Sequence, residues 1–314
     1  MTSVLTITPN PAIDISTSTE HVAPIRKLRC AAMRRDAGGG GINVARVVRR
    51  LGSDVTAIYP AGGSTGQLLR RLVEQENVRS LAIKVAEETR EDFTVLEEKS
   101  GHQYRFVLPG PQLAEPEWRA CLSALDAMDE FPAFVVGSGS LPPGVPDDFY
   151  AQVARTAKGR GSRMVLDTSG RALVAALEEG VYLVKPNLRE LRELANAPLS
   201  NQAEWLGASR RLIETGGAEV VALTLGENGA LLVTREAAFR ARAPDIKPLS
   251  AVGAGDSFIG GIVWSLAAGR SVADAFRHGV AAGSAAVLNP GTELCHALDV
   301  ARLYEQIELV PAKC

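Results

Sequence analysis

The sequence is poor in the residues and patterns that would assign it to a specialised class. Its four cysteines (Cys30, Cys121, Cys295 and Cys314) are scattered over 314 residues with no close pair. Such spacing makes neither a metal-binding cluster nor a disulfide framework, so reduced thiols are the expectation. The four histidines (His21, His102, His278, His296) cluster nowhere, and they read as surface or packing residues. Aromatic residues make up 5% of the chain; Trp118, Trp205 and Trp264 suit core or surface anchoring better than a base-stacking platform. A formal net charge of −2 gives no reason to expect a nucleic-acid or membrane-surface partner. No run approaches the ~18 apolar residues of a membrane span. The start, Met1 to Asn10, lacks the basic-then-apolar order of a signal peptide. Internal repeats and low-complexity linkers are absent as well, so a cytoplasmic chain forming one domain over 1–314 is the expectation.

What is present is a βαβ rhythm. Val4–Thr8, Val55–Ala61, Ala133–Gly137, Arg163–Asp167, Tyr182–Lys185 and Val220–Leu225 read as strands, with amphipathic segments between them. In Asn43–Leu51, Val44, Val47, Val48 and Leu51 repeat at helical spacing, and Gly52 follows as a stop. The pattern predicts an α/β fold with a mostly parallel sheet covered by helices. Two regions break the rhythm. Ala12–Thr19 and Leu28–Arg35 are extended with no helix between them, and Arg90–Leu108 reads as a hairpin turning at Lys99-Ser100-Gly101-His102. These segments, about 11–35 and 89–108, would pair into a small sheet. Its polar face would close over a ligand and its apolar face would meet a second subunit.

Two glycine-rich runs carry the chemistry. In Val252-Gly253-Ala254-Gly255-Asp256-Ser257, small residues lead into an apolar helix whose first turn holds an aspartate. Free amides at a helix start and the helix dipole favour an anion there, and glycine lets the backbone approach it. Asp256 could then accept the proton of an attacking hydroxyl; the plain alternative is a helix cap. The second run, Gly38-Gly39-Gly40-Gly41-Ile42-Asn43, loses extra backbone entropy on ordering, which points to a backbone touching a ligand. Asn43 offers donor and acceptor to sugar hydroxyls, or else caps the helix. Neither run ends in Gly-Lys-Ser/Thr, and neither fits Gly-x-Gly-x-x-Gly, because Phe258 and Asn43 occupy the last positions. The Ala- and Gly-rich stretch Ala254–Ala286 suits helices packed around a ligand, or simply helices packed tightly.

Gly39–Asn43 with its Ala-Arg-x-x-x-x-Leu-Gly helix, Lys185-Pro186-Asn187-x-x-Glu190 and Val252–Asp256 together resemble the ribokinase/PfkB carbohydrate kinase family over essentially the whole chain. Within the family the resemblance leans to the minor bacterial 6-phosphofructokinase type. That lean rests on Lys27–Cys30, Gln103–Val107, Gly139–Gly144 and Gly279–Ala286. The resemblance implies a Rossmann-like domain with a β-sheet lid, a homodimer through the lids, and ATP-dependent phosphorylation of a ketohexose phosphate with Mg²⁺ and K⁺. It implies catalysis by Asp256 with Gly253, Ala254 and Gly255, and sugar binding by Asp14, Lys27, Arg29, Gly39, Gly40, Asn43, Arg90 and Ser140. It also implies ATP binding by Lys185, Asn187, Thr224, Gly226 and Gly229. Asn187 and Glu190 would face Mg²⁺ through water, and Ser250, Val252, Ala286, Asn289 and Gly291 would surround K⁺. Glu293 departs from the pattern of that loop, and Arg105 would serve only to support the hairpin.

The preferred sugar divides the relatives. Thr8–Asp14 resembles enzymes acting on fructose 1-phosphate or tagatose 6-phosphate, but those carry a lysine where this chain has Gly40. Without it the sugar's phosphate falls to the lid cations, so fructose 6-phosphate is expected first. A non-catalytic sensor of sugar phosphate or nucleotide on the same fold is the reading from another class.

Overall fold

The computed structural model describes residues 4–312; Cys314 lies outside them. The strands are β1 (Val4–Ile7), β2 (Ala12–Thr19), β3 (Arg34–Gly38), β4 (Val55–Gly62), β5 (Arg79–Val85), β6 (Arg90–Glu97), β7 (Gln103–Phe106), β8 (Phe134–Ser138), β9 (Arg163–Asp167), β10 (Val181–Val184), β11 (Ala218–Thr224), β12 (Ala230–Val233), β13 (Ala238–Ala241) and β14 (Leu309–Pro311). The helices are α1 (Gly40–Arg50), α2 (Gly63–Gln75), α3 (Glu115–Asp126), α4 (Phe149–Gly159), α5 (Gly170–Glu179), α6 (Leu188–Ala195), α7 (Gln202–Glu214), α8 (Ala254–Ala267), α9 (Val272–Ala286) and α10 (Ala297–Tyr304).

Ten strands form the main sheet in the order β14-β13-β12-β11-β10-β9-β8-β1-β4-β5. From β11 to β5 every pairing is parallel, and the β12–β14 edge is antiparallel. One face packs on α1, α2, α8, α9 and α10, the other on α3 to α7, in two separate apolar clusters. β1 shows why: Val4 belongs to the first cluster, Leu5 and Ile7 to the second, as the two-residue period of a strand buried on both faces requires. Strand order reverses at β1, which lies between β4 and β8. Open α/β sheets bind ligands at the carboxyl ends of strands at such a point.

The second sheet runs β3-β2-β6-β7. Hence the two irregular regions do pair, and the hairpin turns where expected. Its period also separates two faces. Asp14, Ser16, Thr94 and Arg105 share one; Ile15, Phe93, Val95, Tyr104 and Phe106 share the other. Phe93 and Phe106 are exposed on that apolar face.

Several boundaries differ from the sequence expectation. The extended segment is Arg34–Gly38, not Leu28–Arg35, because only the later residues find β2 as a ladder partner; residues 28–33 are exposed loop. Helix α1 begins at Gly40, three residues before Asn43, because its first turn is made of the glycines. Close packing accounts for much of that run. A Cβ would sit 2.3 Å from Ser138 Oγ at Gly40, 2.5 Å from Thr8 Oγ1 at Gly41, and 2.4 Å from the Asp14 carboxyl carbon at Gly38. The same holds in the Ala/Gly-rich stretch, where Gly260 faces Val47 at 2.4 Å and Gly261 faces the His278 carbonyl at 2.6 Å. Tight helix packing explains those two glycines. Strand β5 is missing from the sequence expectation although Leu81, Ile83 and Val85 alternate along it, whereas β12–β14 are too short to show a period.

Candidate active site

Two helix starts meet at the carboxyl ends of β1 and β8. Helix α8 opens on Gly253, whose φ of 74° suits glycine. No side chain caps it, so Asp256 is free of the capping role. Its Oδ2 instead accepts from Asn43 Nδ2 at 2.9 Å, across 213 residues of sequence. Asn43 does not cap α1 either; Gly39, with φ 103°, takes that position. Asn43 Oδ1 accepts from Arg46 Nη1 at 3.1 Å. Since a guanidinium can only donate, this bond turns the amide nitrogen toward Asp256. Arg46 is fully buried and also donates to the Ala37 carbonyl and the Glu76 carboxylate, at 2.7 and 2.8 Å.

Burial and the neighbouring charge of Asp167 push the Asp256 carboxyl up to about 6, while the Asn43 bond, Lys185 and Arg105 restrain it. Lys185 is buried, and burial alone would disfavour its charge. Asp167 at 3.0 Å outweighs that and raises its pKa, so the ammonium persists. A Cβ on Gly255 would lie 3.6 Å from Lys185 Nζ, so this cation stands beside the first amides of α8.

On the lid, register places Asp36, Asp14 and Asp92 side by side across β3, β2 and β6. Asp36 is neutralised by Arg34 at 2.9 Å and accepts from Thr292 at 2.8 Å. Asp92 accepts from the Leu108 amide and lies 3.4 Å from Arg90. Asp14 has no such partner among the described residues. Burial and Asp92 push its carboxyl up to about 7 against the fields of Arg105 and Arg46. Arg105 makes no hydrogen bond or ion pair among the described residues, yet its field reaches both Asp14 and Asp256. It shares the lid face of Asp14, which makes it a candidate site residue.

Other expected positions divide. Arg90 donates to the Leu108 and Asn10 carbonyls at 2.6 and 3.1 Å, tying the roots of the lid together. Lys27 and Arg29 lie on the exposed loop between β2 and β3, with no side-chain bond to another described residue. Ser140 is exposed and accepts from Asn10 Nδ2 at 3.2 Å. Thr8 Oγ1, Asn10 Oδ1 and Ser138 Oγ are buried with no hydrogen-bond partner among the described residues, an orphaned polar floor of the kind that calls for explanation.

Asn187 and Glu190 form a reciprocal cap on α6, each side chain accepting the other's amide at 2.9 Å. One oxygen of each is thereby occupied, while Glu190 Oε1 and Asn187 Nδ2 have no hydrogen bond among the described residues. Thr224 bridges to Asn187 and donates its amide to Pro186 O at 3.0 Å. Gly226 and Gly229, with φ of 60° and 82°, shape the turn after β11. Of the five residues expected around a monovalent cation, Ser250 Oγ donates to Gly291 O at 3.0 Å and accepts from the Val252 amide at 3.2 Å. The Ser250 amide donates to Val287 O at 3.3 Å, next to Ala286, whose own carbonyl accepts from the Asn289 amide at 3.1 Å. Glu293 turns away from them, toward Arg34 at 2.6 Å and His296 at 3.0 Å.

Sequence reading missed Asp36, Asp92 and Asp167, and it took Arg46 only as the arginine of the Ala-Arg-x-x-x-x-Leu-Gly motif, with no role for it. Among the three missed, only Asp167 had a signal, at the carboxyl end of an expected strand. Together the groups form a neutral-range carboxylate, a buried ammonium and glycine-lined helix amides, an arrangement suited to moving an anionic group onto a hydroxyl.

The model of the pfkB family carbohydrate kinases matches residues 6–298. The ATP-dependent 6-phosphofructokinase isozyme 2 of Mycobacterium tuberculosis is 47% identical over 302 residues, 96% of this chain and 89% of that one. A 1-phosphofructokinase of Bacillus subtilis is 32% identical over 292 residues, 92% and 95% of the two chains. The crystal structure of Escherichia coli phosphofructokinase-2 with potassium superposes with a TM-score of 0.93 at 42% identity, covering 98% of this chain and 99% of that one. The same enzyme with fructose 6-phosphate gives 0.92 at 40% identity over the same shares. The chain belongs to the PfkB family of carbohydrate kinases.

Proposed function

We propose that this protein transfers the γ-phosphoryl group of ATP to fructose 6-phosphate, yielding fructose 1,6-bisphosphate and ADP. The observation that carries the reading is the Asp256–Asn43 bond at the junction of two helix starts. Asp256 removes the proton of the sugar hydroxyl as the new P–O bond forms and the bond to ADP breaks. The amides of Ala254, Gly255 and Asp256 and the Lys185 ammonium hold the charge on the transferring group. Asp14, Asn43 and the backbone of Gly39 and Gly40 bind sugar hydroxyls. Ser140, Arg90 and Arg105 face the sugar's own phosphate, joined by Lys27 and Arg29. The turn of Thr224, Gly226 and Gly229 lies beneath the nucleotide.

Mg²⁺ prefers a carboxylate or two, waters and substrate phosphates. Glu190 Oε1 and the Asn187 side chain fit that demand, and the ion would neutralise phosphate oxygens. The Ser250, Val252, Ala286, Asn289 and Gly291 loop pair offers the oxygen donors a K⁺ ion needs.

Substrate choice rests on position 40. Ser138 Oγ fills the space where a side chain would begin, which leaves the sugar phosphate to the lid. An ADP-release assay with fructose 6-phosphate, fructose 1-phosphate and tagatose 6-phosphate tests this, with fructose 6-phosphate expected to give the highest kcat/KM. A preference for either of the others would overturn the substrate, and binding without turnover would favour a sensor. The exposed lid face of Phe93, Phe106, Val107 and Leu108 supports a homodimer, for which light scattering should give twice the chain mass.

A further inference from the structure

Glu293 is the residue of the cation loop that the proposed function leaves without a task. Both its carboxylate oxygens are engaged: Oε2 holds Arg34 Nη1 at 2.6 Å and Oε1 holds His296 Nε2 at 3.0 Å. Its carbonyl accepts from Arg50. Arg34 opens strand β3 of the lid, and its guanidinium continues to Asp36 at 2.9 Å. Asp36 in turn accepts from Thr292 Oγ1 at 2.8 Å, so two adjacent loop residues grip two lid residues. Burial works against the charges, yet Asp36 and Glu293 raise the Arg34 pKa, and Arg34 lowers that of Glu293. The rest of the boundary is weaker: Gln103 meets Ser250 at 3.2 Å and the Leu249 carbonyl at 3.3 Å.

We propose that Arg34 and Glu293 are positioning residues that latch the lid strand β3 to the 288–296 loop and so set the sugar-binding wall against Asp256. Two covalent facts give the latch its leverage. Strand β3 runs directly into the glycines that start α1, the helix carrying Asn43. It also pairs with β2 so that Asp36 stands opposite Asp14. A released β3 therefore loosens both sides of the sugar site, while Asp256 keeps its place on α8. Only the latched form binds sugar well. Loss of the latch then raises the apparent dissociation constant in inverse proportion to the latched fraction, and saturating sugar restores the working form.

The kinetic part rests on the kinase reading; the latch itself does not. The test uses Arg34→Met, Glu293→Ala and the double variant of the full chain, with fructose 6-phosphate kinetics and amide hydrogen exchange. Each single change is expected to raise KM for the sugar about twofold to fivefold, the range of a partly exposed ion pair. The change in kcat should stay below twofold, and the double variant should be no worse than the weaker single. Amides of β3 and of 288–294 should exchange faster in all three. Additive KM effects, a fall in kcat at unchanged KM, or unchanged exchange would each overturn the latch. If the unaltered protein turned over no sugar phosphate, the kinase reading would fall and exchange alone would decide the latch, unchanged rates rejecting it.

Discussion

Replacing Asp14 by Asn should stabilise the protein at alkaline pH while destroying its sugar site. The carboxyl lies over Gly38, flanked by Asp36 and Asp92, and its pKa rises from 3.8 to about 7. Burial is the largest cause and the Asp92 charge the next. A folded-state pKa above the unfolded one means that the folded protein binds the proton more tightly. The stabilisation is complete below about pH 4 and is lost as pH rises through about 7. At pH 8 the ionised group costs at most about 4 kcal/mol, at 1.36 kcal/mol per pH unit. Partial exposure and local relaxation reduce that to about 1–2 kcal/mol. Asn keeps the shape and carries no charge, so Asp14→Asn should gain that amount, or a Tm rise of about 2–5 °C at pH 8. The gain should shrink to about a third at pH 5 and vanish near pH 4. Urea denaturation at the three pH values measures it. An Asn variant no more stable at pH 8, or one whose gain does not shrink with acid, would refute the reasoning.

Asp256→Asn should lower kcat by about 10²–10⁴ with ATP affinity nearly unchanged, the usual worth of a general base; steady-state kinetics with calorimetric ATP titration checks both. Because Asp256 must be ionised to accept a proton and its carboxyl sits at about 6, kcat/KM should fall on the acid side of that value. A pH–rate profile flat down to pH 5 would contradict it. Gly41→Ala places a Cβ 2.5 Å from Thr8 Oγ1 and 2.9 Å from the Ile7 carbonyl. The overpacking should cost about 1–3 kcal/mol in a thermal unfolding assay.

The parallel core was legible because strands buried on both faces write themselves as β-branched runs; Arg163–Asp167 matches its strand residue for residue. Asp256 was legible because glycine-rich helix starts change local composition. The partners that give Asp256 its environment were not. Arg46 is one arginine within a helix, and only packing shows that its fully buried guanidinium orients Asn43. Asp36 and Asp92 gain meaning from strand register, a long-range quantity that local pattern does not carry. The glycine run misled in part, since contact with Thr8, Asp14 and Ser138 explains residues that ligand contact was expected to explain.

The hydrogen bond between Asn43 and Asp256 also has a bearing on biosynthesis. Its two halves are 213 residues apart, and α8 packs on α1 in one apolar cluster. A ribosome adding about 5–20 residues per second needs at least about ten seconds to make the second half after the first. Throughout that interval the Asn43 amide has no Asp256 to meet, although Arg46 already has Glu76. With Asp256 in its proposed role as base, catalytic competence arrives at once and late, and a translation product that stops short of α8 is expected to have no partial activity.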